Sequence, residues 1–317
     1  MKNGWRLLFL LNIILISCSS NNTLKNGDFV SKIDGLDISY SIKGKGPVMF
    51  VGHPNSGKIG YELTLQPLEK HFTTVYYNPR GTGNSETPKN ISDYLPEKNV
   101  EEIELLRKKI GVEKLWLFGH SDQSGIALEY ALKYPKNTEG LILTGTSFVG
   151  DIEESVARRK VSEKKRMAES AWFSQIIKDW DYMIEHKNNV GKNGRDLSEA
   201  PMKWWMYDEE SYRKVLPVIL KISEAGRRKP VNGNIYTETP EEREKYLKIQ
   251  KRFNEIKAKT FIINGKYDTN NPPEFAEKLH QNLPNSEIVI VDKSGHFPWI
   301  ENSSVFFEAL DSWLKKN

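Results

Sequence analysis

The stretch Lys114-Leu115-Trp116-Leu117-Phe118-Gly119-His120-Ser121 decides the fold. Its apolar run has strand length, and Ile126-Ala127-Leu128-Glu129-Tyr130-Ala131-Leu132 downstream opens a helical pattern. A serine at a sharp strand-to-helix turn has its hydroxyl lifted clear of the backbone. The first amides of the helix then point at whatever that hydroxyl attacks. Further apolar runs at 47–51, 73–77, 140–143, 260–263 and 287–291 read as strands. Helices are expected at 100–110, 273–283 and 304–315, and a hairpin joins 29–33 to 36–42 through Asp34-Gly35. Strands alternating with helices predict a mostly parallel sheet covered on both faces, an α/β fold.

Residues 148–256 break this rhythm. They are charged, show helical spacing without a clear strand, and carry Trp172, Trp180, Trp204 and Trp205. Lying between two core strands, they read as a helical cap over the carboxyl edge of the sheet. The organisation expected is a core first part at 28–147, the cap at 148–256 and a core second part at 257–317.

The amino terminus differs from the rest. A short basic head precedes residues 7–16, an apolar run too short to span a bilayer but suited to a signal peptide. Leu15-Ile16-Ser17-Cys18 resembles a bacterial lipobox, which implies cleavage before Cys18 and lipid attachment to its sulfur. Cys18 is the only cysteine, so no intramolecular disulfide forms. The expectation is a signal peptide at 1–17 and a tether at 18–27, exported and anchored to a membrane of the bacterial cell envelope. A simple secretory signal or an uncleaved anchor is the plainer alternative. Losing Lys2 and Arg6 lowers the formal charge from +4 to +2, too small a field to select nucleic acid.

Two further residues complete a chemical set with Ser121. Asp268 follows the 260–263 strand and His296 follows the 287–291 strand. A serine hydroxyl is a poor nucleophile at neutral pH and needs an adjacent base. His296 would take its proton, and Asp268 would fix the imidazole tautomer. Taken singly, each has a plainer reading: Ser121 as a helix N-cap, Asp268 as a turn residue, His296 as a loop histidine. Their order, each at the end of a strand, reads as a nucleophilic hydrolase.

Four motifs extend this. His53-Pro54-Asn55-Ser56-Gly57 is similar to an HGxPG oxyanion loop, and Asn78-Pro79-Arg80-Gly81-Thr82-Gly83-Asn84-Ser85 resembles DxRGxGxS. The third is the helix beginning Glu101-Glu102-Ile103 and running on to the Gly119-His120-Ser121 elbow. The fourth is Asp268 with Gly295-His296-Phe297-Pro298. Together they resemble the α/β-hydrolases, within them the proline iminopeptidase-like group. The resemblance implies an α/β-hydrolase fold, a mostly parallel central sheet flanked by helices, with a helical cap insertion. It also implies a Ser121–His296–Asp268 triad working through an acyl-enzyme, and an oxyanion hole formed by the amides of Asn55 and Asp122. Gln123 departs from the pattern where G-x-S-x-G has its last glycine, and Asn78 where the second motif has aspartate.

An iminopeptidase substrate, a short peptide, requires an acidic cap residue for its free amine. Glu153, Glu154, Glu169 and Asp181 are candidates, with Trp204 and Trp205 as pocket walls. A carboxylesterase on small acyl esters and a non-catalytic binding lipoprotein are the alternatives. Gly52-His53-Pro54-Asn55-Ser56-Gly57-Lys58 fits a phosphate-loop pattern, but Ile59 stands where a metal-ligating hydroxyl belongs and Pro54 lacks an amide. No His/Cys/Asp cluster has ligand spacing, so neither a metal nor an organic cofactor is expected.

Overall fold

Asp34 and Gly35 both take positive φ, 48° and 79°, the backbone that a two-residue hairpin turn demands. They join β1 (Gly27–Ile33) to β2 (Leu36–Gly44), which pair antiparallel with Ile33 opposite Leu36. The computed structural model describes residues 24–146, 152–191 and 194–316. The expected signal peptide, Cys18 and the first residues of the predicted cap lie outside them.

Next come β3 (Val48–Val51), α1 (Ile59–Thr64), β4 (Thr73–Tyr77), α2 (Pro96–Lys109), β5 (Leu115–His120), α3 (Asp122–Lys133) and β6 (Thr138–Thr144). Five helices follow: α4 (Ile152–Glu169), α5 (Ala171–His186), α6 (Ala200–Lys203), α7 (Glu209–Ala225) and α8 (Pro240–Gln250). The chain closes with β7 (Lys259–Gly265), α9 (Pro273–Asn282), β8 (Ser286–Val291), α10 (Pro298–Glu301) and α11 (Ser303–Leu314). The eight strands form one sheet in the order β1-β2-β4-β3-β5-β6-β7-β8. β2 meets β4 antiparallel, and every later pairing is parallel.

The apolar runs are continuous because the central strands are buried on both faces. Successive side chains leave a strand on opposite sides, so β5 feeds two cores at once. Leu115 and Leu117 join the cluster under α2, α3 and α9, with Val100, Ile103, Ile126 and Leu279. Trp116 and Phe118 join the other, against α1, α10 and α11, with Tyr61, Trp299, Phe306 and Trp313. There Phe261 stacks on Trp313 with ring centres 5.0 Å apart.

Sheet order reverses at β3, which lies between β4 and β5. The crevice at such a switch point, outside the carboxyl ends of parallel strands, is where an α/β sheet holds its ligands. The cap helices α4–α8 enter between β6 and β7 and carry a small core of their own around Met206, Tyr212, Val215 and Ile219. Backbone bonds tie the cap to the loops below: Arg228 N–H to Asn55 O at 2.9 Å, Lys229 N–H to Gly81 O at 2.9 Å, Gly83 N–H to Gly226 O at 2.8 Å. The Arg80 loop, which makes two of these bonds, is anchored to the core by buried Arg80, which pairs with buried Glu102 at 2.9 Å. No helix among the described residues is long and apolar enough to cross a membrane.

Candidate active site

Ser121 stands between β5 and α3 with φ 53° and ψ −126°. A non-glycine residue there is strained, and such strain is kept where the surroundings over-determine it. Ser121 N–H donates to Thr144 O at 3.1 Å on the neighbouring strand. Ser121 makes no side-chain capping bond to α3, which removes the N-cap reading. The turn is sharp enough that a Cβ on Gly119 would lie 2.8 Å from Ser124 Cα. Gln123, standing where the elbow pattern has glycine, does not crowd the serine. Its side chain is buried and turns to the Tyr77 hydroxyl, 3.3 Å away.

Asp268 follows β7 and His296 follows β8, and the fold brings them together. His296 Nδ1–H donates to Asp268 Oδ2 at 2.8 Å, and both residues are buried. The other oxygen, Oδ1, accepts from Asn271 N–H at 2.9 Å. With Nδ1 carrying the proton, Nε2 of neutral His296 keeps its lone pair. Ser121 adjoins this pair through His120. The His120 and His296 rings are centred 4.6 Å apart, and His120 Nε2–H donates to His296 O at 3.0 Å. That bond fixes the His120 tautomer, so its Nδ1 accepts from the Tyr61 hydroxyl at 2.9 Å. Burial holds the His120 imidazole well below its usual range.

The loop carrying His296 is clamped by a residue that sequence reasoning did not find. Glu301 accepts from the amides of Gly295 and Phe297 at 2.8 and 2.9 Å, and from Tyr207 of the cap at 2.9 Å. Burial raises its carboxyl pKa while the three amides oppose the rise. Beside it, His296 N–H donates to Trp205 O at 2.8 Å. The approach is so close that a Cβ on Gly295 would meet that oxygen at 2.2 Å. Arg166 was missed too. It is buried, donates to Thr269 Oγ1 at 2.7 Å and to Met206 O at 2.6 Å, and so joins the cap to the aspartate loop. Both need the tertiary structure to be seen; no motif marks them.

The predicted oxyanion residues lie side by side. Asp122 is the first residue of α3, and its Oδ2 accepts from Asn55 Nδ2 at 2.7 Å. The Asn55 backbone amide donates to His53 Nδ1 at 3.1 Å. Buried His53 is therefore neutral, its pKa pushed down to about 4 chiefly by burial. A histidine whose folded pKa lies below the unfolded value of 6.5 costs stability as pH falls from 6.5 towards 4, because only the unfolded chain takes up the proton. Relative to a His53→Gln variant, wild type is expected to lose about 2 kcal/mol between pH 7.5 and 5, read from urea unfolding of both. A difference between the two proteins that does not change with pH would contradict it.

A cavity of about 610 Å³ opens over Ser121, Asp122 and Asn55, walled by α3, α4, α8 and the α7–α8 loop. Glu153 is exposed on α4 and does not line it; Glu169 and Asp181 are exposed as well. Glu154 is bound to Arg158 and Lys278 at 2.8 and 2.7 Å. Trp205 packs on the His296 ring with centres 5.5 Å apart, whereas Trp204 turns away to Trp180 and donates to Glu163. Four other carboxylates line the cavity: Glu97, Glu129, Glu238 and Glu242. Glu97 pairs with Lys245 at 2.9 Å and Glu238 with Arg243 at 3.1 Å. Glu242 accepts from Thr239 N–H at 2.8 Å and from the Tyr236 hydroxyl at 3.0 Å. Glu129 has no ion pair among the described residues, and burial raises its carboxyl pKa.

A strained serine after β5, a buried Asp–His pair after β7 and β8, and a capped cavity at the switch point are arranged as in an α/β-hydrolase fold. Residues 48–303 match the family model described as alpha/beta hydrolase fold, and the chain belongs to that family. It is similar to the proline iminopeptidase of Saccharolobus solfataricus, 27% identical over 299 residues, covering 89% of this chain and 90% of the relative. The proline iminopeptidase of Clostridium botulinum is 24% identical over 282 residues, covering 85% of this chain and 89% of that one. Among solved structures, an alpha/beta fold family hydrolase from Bacillus anthracis superposes with a TM-score of 0.61 at 20% identity. That likeness covers 90% of this chain and 99% of the other.

Proposed function

We propose that the protein is a serine hydrolase of proline iminopeptidase type, removing the amino-terminal residue from short peptides. The observation that carries it is the buried His296–Asp268 bond of 2.8 Å beside the strained Ser121. In this reading His296 Nε2 takes the Ser121 hydroxyl proton as Oγ attacks the scissile carbonyl carbon. The proton then passes to the leaving amine as its C–N bond breaks, leaving an acyl-serine ester. Water, deprotonated by the same Nε2, attacks that ester; the returning proton frees Ser121 and the released residue.

The tetrahedral oxyanion would take the Asp122 amide at the start of α3 and the Asn55 amide. The latter is held by His53, but a neutral imidazole nitrogen is a weaker acceptor than an alkoxide, so the oxyanion should win it. For the free amine we propose Glu129, the cavity carboxylate with neither an ion pair nor a side-chain hydrogen bond among the described residues, in place of the cap acids. The relatives named proline iminopeptidase support the substrate class.

The same acyl-enzyme chemistry would serve a carboxylesterase, and substrates decide between them. Hydrolysis of proline nitroanilide, well above any activity on nitrophenyl acetate, is the expected result. Turnover of the ester alone would overturn the peptidase reading, and turnover of neither would favour a binding protein. We further propose that Cys18 carries a lipid that anchors the chain to the bacterial envelope. Cys18→Ala should then move the protein from membrane to soluble fractions, and unchanged partitioning would contradict it.

A further inference from the structure

The charges that line the cavity do not all cancel within the protein. Once Glu97–Lys245, Glu238–Arg243 and the hydrogen-bonded Glu242 and Asp122 are set aside, Glu129, Arg159 and Arg228 are left facing the space over Ser121. Arg159, from α4, donates Nε–H to Asn270 O at 2.6 Å, in the loop that follows Asp268. Arg228, from the α7–α8 loop, donates Nη2–H to Tyr236 O at 3.4 Å and lies over the Tyr236 and Tyr94 rings, at 4.7 and 5.3 Å.

Both guanidiniums are half-buried, and neither has a carboxylate within 4.0 Å among the described residues. Burial lowers the proton affinity of both, yet an arginine stays cationic in a protein. A partly desolvated cation that bonds only to carbonyls and rings leaves N–H donors for an anion, and fork-shaped guanidinium suits a carboxylate. Asp122 is the one acid whose field reaches both, and its carboxylate is already held by Asn55 Nδ2. Asp268, the other acid near Arg159, is likewise engaged, by His296 and the Asn271 amide, so neither carboxylate neutralises a guanidinium by direct contact. A third feature points to a polar occupant: the Tyr246 hydroxyl, on the same cavity, is buried without a hydrogen-bond partner.

From this pattern we infer that the cavity selects zwitterionic dipeptides, Arg159 and Arg228 holding the free carboxylate of the substrate. The inference rests on the peptidase reading and narrows it. Each added residue carries the chain end up to about 3.5 Å further along, so a longer peptide takes its carboxylate off the two arginines. A substrate whose carboxylate is amidated forfeits charge-assisted bonds there, on the order of tenfold or more in affinity.

The test is calorimetric binding of Pro-Ala and of Pro-Ala amide to the Ser121→Ala protein, which holds the peptide without turning it over. The free acid should bind at least about tenfold more tightly than the amide. Introducing Arg159→Gln or Arg228→Gln should reduce that ratio several-fold. Equal affinity for the two peptides overturns the inference, and so does a ratio that survives both substitutions. The ratio in the Ser121→Ala protein decides even where a glutamine variant fails to fold. Wild type cleaving proline nitroanilide, which has no carboxylate, without a free-acid preference in Pro-Ala binding would overturn this inference alone. Loss of nitroanilide cleavage together with absent Pro-Ala binding would overturn the peptidase reading, and this inference with it.

Discussion

Replacing His296 by alanine is expected to lower turnover by roughly 10⁴-fold or more while leaving the fold intact, as removing the base of such a triad does. Among the described residues the ring's one side-chain hydrogen bond is to Asp268, whereas its backbone does the structural work through Trp205 O and His120 Nε2. Those backbone bonds survive the substitution, as does the Glu301 clamp on the flanking amides of Gly295 and Phe297. The lost ring leaves a space beside His120 and Trp205, so a modest fall in stability should accompany the loss of activity. The measurement is kcat on proline nitroanilide beside a thermal melt of the same sample. A variant that keeps its melting temperature and more than a tenth of wild-type kcat would remove His296 from the chemistry.

Asp268→Asn should cost nearly as much, about 10³- to 10⁴-fold, for a reason the bonding around it specifies. Asp268 Oδ1 accepts from the Asn271 amide, and only an oxygen serves there. The amide oxygen of an asparagine must therefore stay on that side, turning its NH₂ towards His296. Facing a donor, His296 Nδ1 has to become the acceptor, and its proton moves to Nε2. The nitrogen presented to Ser121 then has no lone pair with which to take a proton. The expected signature is a fall in kcat with KM little changed, since the substitution touches no wall of the cavity. A loss smaller than tenfold would mean that this aspartate does not set the histidine tautomer.

Much of this molecule is legible in its sequence, and the limits are physical. The central strands announce themselves because burial on both faces makes them unbroken apolar runs, and the Asp34-Gly35 turn announces the hairpin by its backbone requirement. Ser121, Asp268 and His296 stand out because each follows a strand. What the sequence conceals is direction. Trp204 and Trp205 are neighbours in the chain, yet one reaches the histidine ring and the other the Trp180 face of the cap. Successive residues on a helical turn point about 100° apart, which no composition argument resolves. Gln123 departs from the elbow pattern, and its path to Tyr77 is visible only in the fold. The cavity acid proposed to hold the amine, Glu129, comes from the nucleophile helix rather than the cap. Glu301 and Arg166 act by accepting from or donating to backbone groups far away in the chain, and nothing local marks a residue for that work.

Hydrolysis at this site depends on Ser121 being an activated nucleophile, and the most direct test is covalent. Folded wild-type protein treated with a fluorophosphonate and digested for peptide mass mapping should carry one adduct, on Ser121, and Ser121→Ala protein should carry none. An adduct absent from folded wild type, or found on another residue, would contradict it.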